Sequence, residues 1–411
     1  MVLYTKFHKM PLPGMSRHNV VYQFRPYELK KLKKKSIEES AASLPDPRSG
    51  HRIACNESDI FCFGGYSPGS EDTADAGNLF QELWKYNIFS KRWTLVIAPG
   101  ADDMPKEVAS CTATIHGNIL VIHGGTGFPF GESSSNKCYV FQTSAVEPSI
   151  VELEATGEHP KAQYGQAVTI ADNFLYSIGG TTGFDYSCDV HRLDLVHKDW
   201  KCMYTSKGNI QDDPSGRYRH GVVHCDGLLY VLGGGTSNSV FDLEQIPVFN
   251  LVSCSWTHVQ TKPDEHAGRP YGYPAPRRCH SCIQYETENG TEAIIAGGCG
   301  ENLYFTDIWK LNIKTLKWTL MKAARLPRPL FFHDACITNN SCMYIFGGIQ
   351  VNGRSWSRTN DLMKMWVRIP KLSEICWDAI SYYAPNLCKL TKLELLRLGI
   401  PKEFAVRINS V

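Results

Sequence analysis

The chain has 411 residues, of which 43% are apolar and 11% aromatic, and this composition excludes a disordered protein because so much apolar surface can be buried in a core. Its 43 Lys and Arg nearly balance its 41 Asp and Glu, which gives a formal net charge of +2. No overall electrostatic field therefore favours nucleic acid or an anionic membrane surface as the partner.

We do not expect residues 1–20 to act as a secretory signal. Residues 1–20 scatter Lys6, His8, Lys9 and Arg17 among apolar positions and lack a continuous apolar stretch. No later run approaches 18 uncharged apolar residues, so we expect no membrane-spanning segment. Without such a signal, the 15 cysteines are typical of a reduced compartment. We expect a cytoplasmic location, with the nucleus as a further option.

Residues 1–44 are predicted to form an N-terminal extension. Residues 19–24 (NVVYQF) have the composition of a β-strand. A lysine-rich stretch follows them, and it is typical of a solvated linker, the alternative being a nuclear import signal. Its lysines are Lys30, Lys31, Lys33, Lys34 and Lys35.

An apolar run that ends in Gly-Gly recurs six times in the following region. Successive first glycines are 60, 55, 54, 64 and 50 residues apart, close to the period of about 50 residues that kelch repeats have. These first glycines are Gly64, Gly124, Gly179, Gly233, Gly297 and Gly347. Because a repeat at a fixed period predicts a repeat architecture, the region forms one unit rather than several unrelated domains.

Two further marks accompany the glycine pairs. A tryptophan follows the pair in four repeats, at Trp93, Trp200, Trp256 and Trp318. An Arg-x-x-His sequence precedes it in three, at Arg48/His51, Arg217/His220 and Arg277/His280, with a lone His333 in the last repeat. We predict four short strands per repeat, glycines at turns with positive φ or at close backbone approaches, and tryptophans in the wedge between adjacent sheets.

These marks resemble the kelch repeat, and the resemblance implies an all-β six-bladed kelch β-propeller over residues 45–368. The sixth repeat offers residues 362–365 as its third strand and then runs into a helical pattern, so that its fourth strand is missing. We expect residues 19–24 to supply this edge.

Neither a metal site nor a catalytic site is indicated. Cys279, His280 and Cys282 lack the second ligand pair of a structural zinc site, and neighbouring residues of a strand point to opposite faces. No Gly-Gly site continues into a phosphate-binding loop, and no nucleophile elbow occurs. We expect no cofactor and no enzymatic activity. An enzyme of the galactose-oxidase type would need copper ligands that this sequence does not assemble.

A basic pocket is expected at one mouth of the propeller channel, where the inner strand ends converge. Arginine forks bind carboxylates in bidentate fashion, which suits a free peptide C-terminus or an acidic side chain. The alternative is that these arginines pair internally and join neighbouring blades. The predicted substrate-binding residues are Arg217, Arg219, Arg277 and Arg278, with Ser281, Tyr164, Tyr218 and Phe332 beside them.

After Trp366 the apolar pattern becomes helical. Leu372, Cys376 and Ile380 recur every four residues and so share one face of a helix. A second apolar stripe at Leu390, Leu393 and Leu396 ends at Gly399, and Pro401 then stands at a plausible first helical position.

Two segments of this tail resemble known docking boxes. Leu372-x-x-x-Cys376-x-x-x-Ile380 resembles the elongin B/C-binding box of SOCS-box and VHL-box adaptors, although Lys371 stands where that family has a small residue or proline. Ile400-Pro401-x-x-Phe404-x-x-x-Ile408 resembles the cullin-2 box. Both boxes in this order, after a kelch ring, resemble the kelch domain-containing substrate receptors of cullin-2 ubiquitin ligases. The alternative for residues 369–411 is a helical cap on the propeller.

The resemblance implies a non-catalytic substrate-recognition subunit of a cullin-2 RING E3 ubiquitin ligase. In that family the propeller binds substrate C-termini that end in a small residue such as Gly or Ala. The tail is expected to bind elongin B, elongin C and cullin-2, which brings its RING-box protein. The alternative function is a non-ligase kelch scaffold or an actin-associated interaction protein, which would not need the two boxes.

Overall fold

The computed structural model describes residues 21–33, 44–69, 77–101, 104–207, 213–267 and 272–408. Strands dominate the described residues, and helices occur there only in the C-terminal tail after Lys371. None of these helices is long and apolar enough to cross a membrane.

In chain order the strands are β1 Lys30–Lys31, β2 Arg52–Cys55, β3 Asp59–Phe63, β4 Tyr66–Ser67, β5 Asn78–Leu79, β6 Leu83–Asn87, β7 Arg92–Ile97, β8 Thr112–His116, β9 Ile119–His123, β10 Cys138–Gln142, β11 Ile150–Glu152, β12 Thr156–Gly157, β13 Ala167–Ala171, β14 Phe174–Thr181, β15 Tyr186–Asp194, β16 Asp199–Tyr204, β17 Gly221–Cys225, β18 Leu228–Leu232, β19 Gln245–Asn250, β20 Ser255–Gln260, β21 Ser281–Thr287, β22 Gly290–Ala296, β23 Asp307–Asn312, β24 Lys317–Arg325, β25 Leu330–Phe331, β26 Asp334–Ile337, β27 Cys342–Phe346, β28 Ile349–Asn352, β29 Ser355–Arg358 and β30 Leu362–Trp366. The tail contains α1 Leu372–Tyr383, a 3-10 helix Pro385–Lys389, α2 Lys392–Arg397 and α3 Lys402–Ala405.

Most of these strands form six sheets, which we number 1 to 6 along the chain. Sheets 1 to 5 have the orders β2-β3-β6-β7, β8-β9-β10-β11, β13-β14-β15-β16-β12, β17-β18-β19-β20 and β21-β22-β23-β24. Sheet 6 has the order β26-β27-β30-β1. Neighbouring strands are antiparallel except β12 and β16. This is an all-β arrangement, and the remaining short strands form a two-stranded sheet, β4-β5, and a three-stranded sheet, β25-β28-β29.

The first strand of each sheet contacts the first strand of the next, and β26 of sheet 6 contacts β2 of sheet 1. The apolar cores lie between the sheets, where residues of two neighbouring sheets pack together. The repeated tryptophans occupy these wedges as the sequence predicts. Trp318 of sheet 5 donates its indole N–H at 3.0 Å to the carbonyl of Leu243, which lies just before β19 of sheet 4, and Trp93 of sheet 1 packs on Phe346 of sheet 6.

A closed cycle of six backbone hydrogen bonds joins the residues just before the first strands. We call it the backbone ring. Its members are Gly50, Ser110, Gly165, Arg219, Cys279 and Phe332, and the N–H of each donates to the carbonyl of the preceding member at 2.7–3.1 Å, with Gly50 donating to Phe332. All six have positive φ between 54° and 68°. This uncommon conformation at non-glycine members is stabilised by the bonds on both sides.

The glycine pairs and the Arg-x-x-His sequences contact each other across the sheet boundaries. A Cβ on Gly179 of sheet 3 would lie 2.9 Å from the His220 ring of sheet 4, and one on Gly233 would lie 3.1 Å from His280. The second glycine of each pair donates its N–H to a carbonyl of the following sheet, as Gly234 does to Arg277 at 2.9 Å. Glycine is needed here because the histidine of the next sheet occupies the space of a side chain.

The prediction that residues 19–24 close the sixth sheet is wrong. Residues 19 and 20 lie outside the described residues, and residues 21–24 are not a strand. The closing strand is β1, whose Lys30 and Lys31 pair with Lys364 and Met363 of β30. Leu29 and Leu32 flank β1 and pack into the apolar clusters on either side of sheet 6, so this short strand anchors the edge on both faces.

The tail packs at the boundary of sheets 1 and 6, at the strand ends opposite to the backbone ring. Trp377 of α1 lies between Phe89, in a turn of sheet 1, and Phe404 of α3, with ring centroids 4.7 and 5.0 Å away. Glu374 accepts hydrogen bonds at 2.8 Å from Asn340, in a turn of sheet 6, and from Arg407. The tail is therefore a folded part of the body.

Candidate functional site

The arginines of the basic pocket lie at the end of the molecule that carries the backbone ring, but they are not equally available. Arg277 is fully buried and donates to both carboxylate oxygens of Asp307 at 2.7 and 3.0 Å. It also lies over the Phe305 ring. Its predicted role in substrate binding is therefore contradicted, and the alternative of internal pairing holds for Arg277, within its own sheet.

Arg217 occupies the equivalent place in sheet 4 without a carboxylate. Its guanidinium donates to the Ser215 and Gly233 carbonyls at 3.1 Å and lies over Phe241. Only 6% of the residue is exposed, and burial lowers its pKa to about 10. Arg217 thus fixes the loop of sheet 4 and offers little surface to a ligand.

Arg219 extends across the backbone ring. Its side chain donates to the Ser110 hydroxyl of sheet 2 and lies over the Phe332 ring of sheet 6. Burial, and then the nearby charge of Arg52, lower its pKa to about 10. Beneath it, the first strands line an axial channel of about 330 Å³, in which Arg52 and Asp334 form an ion pair at 3.2 Å. Arg219 therefore closes this end of the channel.

Arg278 is the predicted arginine that reaches an open groove. The groove, which we call the Arg278 groove, has a volume of about 300 Å³ and lies between loops of sheets 4 and 5. Its lining residues are Ser237, Asn238, Ser239, Val240, Arg278, Glu301 and Asn302. Nη1 of Arg278 is itself buried and has no hydrogen-bond partner within the described residues, so that an anionic group would have to enter the groove to reach it.

Of the other predicted pocket residues, Ser281 is displaced from the site. It is buried, and its hydroxyl lies 3.0 Å from Nε2 of His333 in the interior, which contradicts the expected contact with a ligand. Tyr164 and Tyr218 pack edge to face beside the ring, 6.4 Å apart, and Phe332 covers Arg219. These three aromatic residues remain on the predicted side of the molecule.

Sequence reasoning missed Arg358, which lies outside the repeated Arg-x-x-His sequences. It is half-buried at the edge of β29, donates to the Ser49 hydroxyl at 3.2 Å and approaches the Tyr66 ring. Among the described residues Arg358 forms no ion pair, and the Ser49 hydroxyl and the Tyr66 ring that it contacts are neutral groups. Phe128 and Phe130 pack on Tyr66 and remain 42% and 47% exposed. No local sequence signal marks this group.

The histidines of the repeats are neutral at pH 7, because burial lowers the pKa of His220, His280 and His333 to about 3. Within the described ranges, no group of three or more potential metal-ligating side chains comes together, Cys279, His280 and Cys282 included.

The tail presents its first predicted box to solvent and buries much of its second. Leu372, Cys376 and Ile380 share one exposed face of α1, with Leu372 63% exposed. Phe404 and Ile408 are buried in the cluster around Trp377. Ile400 is partly buried and Pro401 exposed. A partner could contact the helix face directly, but it would reach Phe404 and Ile408 only indirectly or after rearrangement of α3.

Helix α1 is held by the N-terminal segment as well as by the sheets. Asp378 accepts hydrogen bonds from the Tyr22 hydroxyl at 2.7 Å and from Lys364 of β30 at 2.6 Å. Burial alone would raise the pKa of Asp378, but Lys364 holds it below its ordinary value. The charged network fixes the rotation of α1, so that its exposed apolar face points away from the sheets.

Comparison with known proteins identifies the repeat. The domain described as the KLHDC2/KLHL20/DRC7 Kelch-repeats domain matches residues 14–234 and 206–381. The chain is 47% identical over 401 residues to the Kelch domain-containing protein 10 homolog of Drosophila melanogaster, covering 94% of this chain and 66% of that protein. It is 40% identical to Kelch domain-containing protein 10 of Xenopus laevis and 38% identical to that of Homo sapiens, covering 89% of this chain and 86% and 80% of theirs. The chain belongs to the kelch-repeat family.

Proposed function

We propose that the chain is the substrate-recognition subunit of a cullin-2 RING E3 ubiquitin ligase, with a closed six-bladed propeller as the receptor and the tail as the ligase-binding element. The observation that carries the proposal is the solvent-exposed face of Leu372, Cys376 and Ile380 on a helix held rigidly against the propeller. An apolar helix face of this kind fits a groove in a partner. Kelch family membership supports a protein-interaction role in general.

The two functional surfaces lie at opposite ends of the strands. The Arg278 groove and Arg358 flank the backbone ring, whereas α1 contacts the turns at Phe89 and Asn340. A substrate held at one end would leave the other free for elongin B, elongin C and cullin-2. This separation supports a receptor that holds both partners at once. We propose that it acts in the cytoplasm or nucleus.

The substrate group that fits best is a free C-terminal carboxylate after a small residue such as Gly or Ala. A carboxylate that leaves water needs charged donors held in place. Arg278 and Arg358 are half-buried at this end and have no carboxylate partner within the described residues, whereas Arg217 and Arg219, which also lack one, are buried. As part of this proposal, the chain most resembles one kelch domain-containing receptor, known as scruin-like at the midline. This resemblance rests on the segments GGTGFPFGES, GGTTG, RYRH and RRCHSC.

The ligase role is tested by affinity purification from cells. Leu372→Asp should remove elongin B/C and cullin-2 from the purified complex, because a charge on the docking face must be desolvated on binding. Val252→Asp, at a turn of sheet 4 where Val252 is 91% exposed, serves as the matched control and should retain them. Elongin recovery with Leu372→Asp at the level of the control would contradict the proposal. Absence of elongin even from the unaltered chain would favour the scaffold or actin-associated function.

The substrate role is tested by calorimetry with peptides that end in Gly. Amidation of the C-terminus should weaken binding by about ten-fold or more, because it removes a charge-assisted hydrogen bond. Arg278→Ala and Arg358→Ala should each weaken binding of the free acid, whereas Arg328→Ala, an exposed arginine bonded to Asn352, should not. Equal affinity of acid and amide would refute carboxylate capture.

A further inference from the structure

Two cysteines of sheet 5 lie in contact beside the Arg278 groove. Arg278 and Cys299 form an antiparallel pair in which each N–H donates to the carbonyl of the other at 2.9 Å. Cys279 follows Arg278 and packs with Cys299 in one cluster of buried residues. Both cysteines are free thiols. The fold therefore brings together two cysteine side chains that are 20 residues apart in the sequence.

The surroundings make the two thiols different. The hydrogen bond from Cys279 and the positive charge of Arg278 lower the pKa of Cys299 below that of an ordinary thiol. Burial raises the pKa of Cys279. Phe331 and Ile349 enclose the pair, and Cys299 keeps 8% of its surface exposed, which is access for a small oxidant rather than for a protein. Thiolate character and an adjacent second thiol are the two requirements of a redox-sensitive pair.

We propose that Cys299 and Cys279 form a hydroperoxide-sensitive disulfide site, with Cys299 as the attacking sulfur and Cys279 as the resolving one. The Cys299 thiolate attacks one oxygen of the hydroperoxide, so that an S–O bond forms, the O–O bond breaks and the second oxygen leaves as water or an alcohol after taking up a proton. Cys279 then attacks the Cys299 sulfur, the S–S bond forms, and the sulfenic oxygen leaves as water with the Cys279 proton. Two thiols lose two electrons, and the hydroperoxide accepts them.

The disulfide affects the part of the molecule where the backbone ring is built. The N–H and carbonyl of Cys279 form two links of that ring, to Arg219 and to Phe332. Cys299 follows the glycine pair of sheet 5 at the edge of the Arg278 groove. Oxidation therefore ties the ring covalently to the end of β22 and removes the thiolate that lies against Arg278.

A second cysteine pair in the same chain provides an internal control. Cys55 of β2 and Cys336 of β26 also pack in one apolar cluster, at the boundary of sheets 1 and 6. Burial, then Cys55 and the charge of Asp334, raise the pKa of Cys336 well above the ordinary value, and no arginine is among the causes. Both pairs pack within an apolar cluster, and they differ in the arginine that lies beside Cys299.

The test is peptide mapping by mass spectrometry of the full chain after brief exposure to hydrogen peroxide. We expect the Cys279–Cys299 disulfide to form about ten-fold faster than any Cys55–Cys336 disulfide, and a dithiol reductant to reverse it. In Cys279→Ser, a sulfenic-acid probe should label Cys299, because the resolving thiol is gone. In Arg278→Gln, the same Cys279–Cys299 disulfide should form, but several-fold more slowly, because the positive charge beside Cys299 is lost.

These measurements can also overturn the site. Equal oxidation of the two cysteine pairs in the unaltered chain would show that charge does not select Cys299, and this result needs no variant to fold. Failure to detect the Cys279–Cys299 disulfide in the unaltered chain would contradict the proposal directly. If the sulfenic-acid probe labelled Cys279 in Cys299→Ser but did not label Cys299 in Cys279→Ser, the two roles would be reversed. That result would also contradict the proposal.

Discussion

Sheets 4 and 5 contain the same arginine in the same place with different partners. Arg217 and Arg277 each donate to the carbonyl two residues earlier and to the first glycine of the pair, and each lies over a phenylalanine. Two residues after that phenylalanine, sheet 5 has Asp307 and sheet 4 has the buried Leu243. One position therefore decides whether the arginine is neutralised.

The arginine forms an ion pair in some sheets and only packs and donates to carbonyl groups in another. Sheet 1 resembles sheet 5, because Arg48 pairs with Glu82 at the same position. In sheet 4 the guanidinium is held by carbonyl groups and by Phe241 alone. A repeated arginine thus indicates a structural anchor first, and its availability to a ligand depends on a residue about 26 to 34 positions further along the chain.

The largest expected effect comes from breaking the pair in sheet 5. Arg277→Ala should lower the free energy of unfolding by about 3–5 kcal/mol, because it leaves the Asp307 carboxylate partly buried without its partner. Denaturant unfolding of the full chain measures the change. Arg325→Ala, on the exposed outer strand of the same sheet, is the control and should change little. Similar losses for both variants would contradict the role of the pair.

Arg217→Ala should cost less, about 1–3 kcal/mol, since it removes hydrogen bonds to two carbonyls but orphans no carboxylate. The same denaturant measurement compares the two sheets directly. A loss equal to that of Arg277→Ala would mean that packing, rather than the ion pair, dominates both sites.

The pH dependence of stability should also reveal the ion pair that sheet 5 has and sheet 4 lacks. Burial would raise the pKa of Asp307, but hydrogen bonds and charge from Arg277 hold it below the ordinary value. A lowered carboxyl pKa contributes stability above the ordinary pKa of about 3.9, and this contribution is lost as the pH falls through the folded value. Unfolding measured from pH 6 to pH 3 should therefore show a steeper decline for the unaltered chain than for Asp307→Asn. Glu301→Gln, an exposed carboxylate, should keep the steep decline.

The smallest expected effect concerns the two phenylalanines. Double-mutant cycles should give a coupling of about 0.5–1 kcal/mol between Arg217 and Phe241, as expected for a cation over an aromatic face at a 4.3 Å separation. The coupling between Arg277 and Phe305 should be smaller, because Asp307 already neutralises that guanidinium. Larger coupling in sheet 5 would contradict the comparison.

Much of the fold could be predicted from the repeated residues because each mark has one packing reason. The second glycine of each pair bonds to the following sheet at all six boundaries, and a histidine meets the first glycine at four of them, so that period and order sufficed to predict the strands. The prediction put the closing strand of sheet 6 in the wrong place, because β-strand composition favours residues 19–24. The strand that closes the sheet is the one whose flanking residues, Leu29 and Leu32, pack on the two faces of sheet 6. Composition carries no information on which edge a segment can reach.

The candidate site could be predicted only in part. The sequence predicted that Arg278, Tyr164 and Tyr218 lie at one end of the molecule, and they do lie together at the end that carries the backbone ring, because that placement follows from the strand order. It could not predict that Asp307 neutralises Arg277 or that Ser281 faces His333, since these contacts depend on side-chain direction. In the tail, the four-residue spacing predicted one face for Leu372, Cys376 and Ile380, and the structure leaves that face exposed.

The backbone ring with Arg219 across it makes the axial channel a dead end. Six linked backbones and a side chain that spans from sheet 4 to sheets 2 and 6 leave no passage at this end, whereas the channel continues between the first strands below. A polypeptide bound beside Arg278 therefore cannot thread through the molecule toward the tail. Any contact between the bound protein and the tail would have to run around the outside of the sheets.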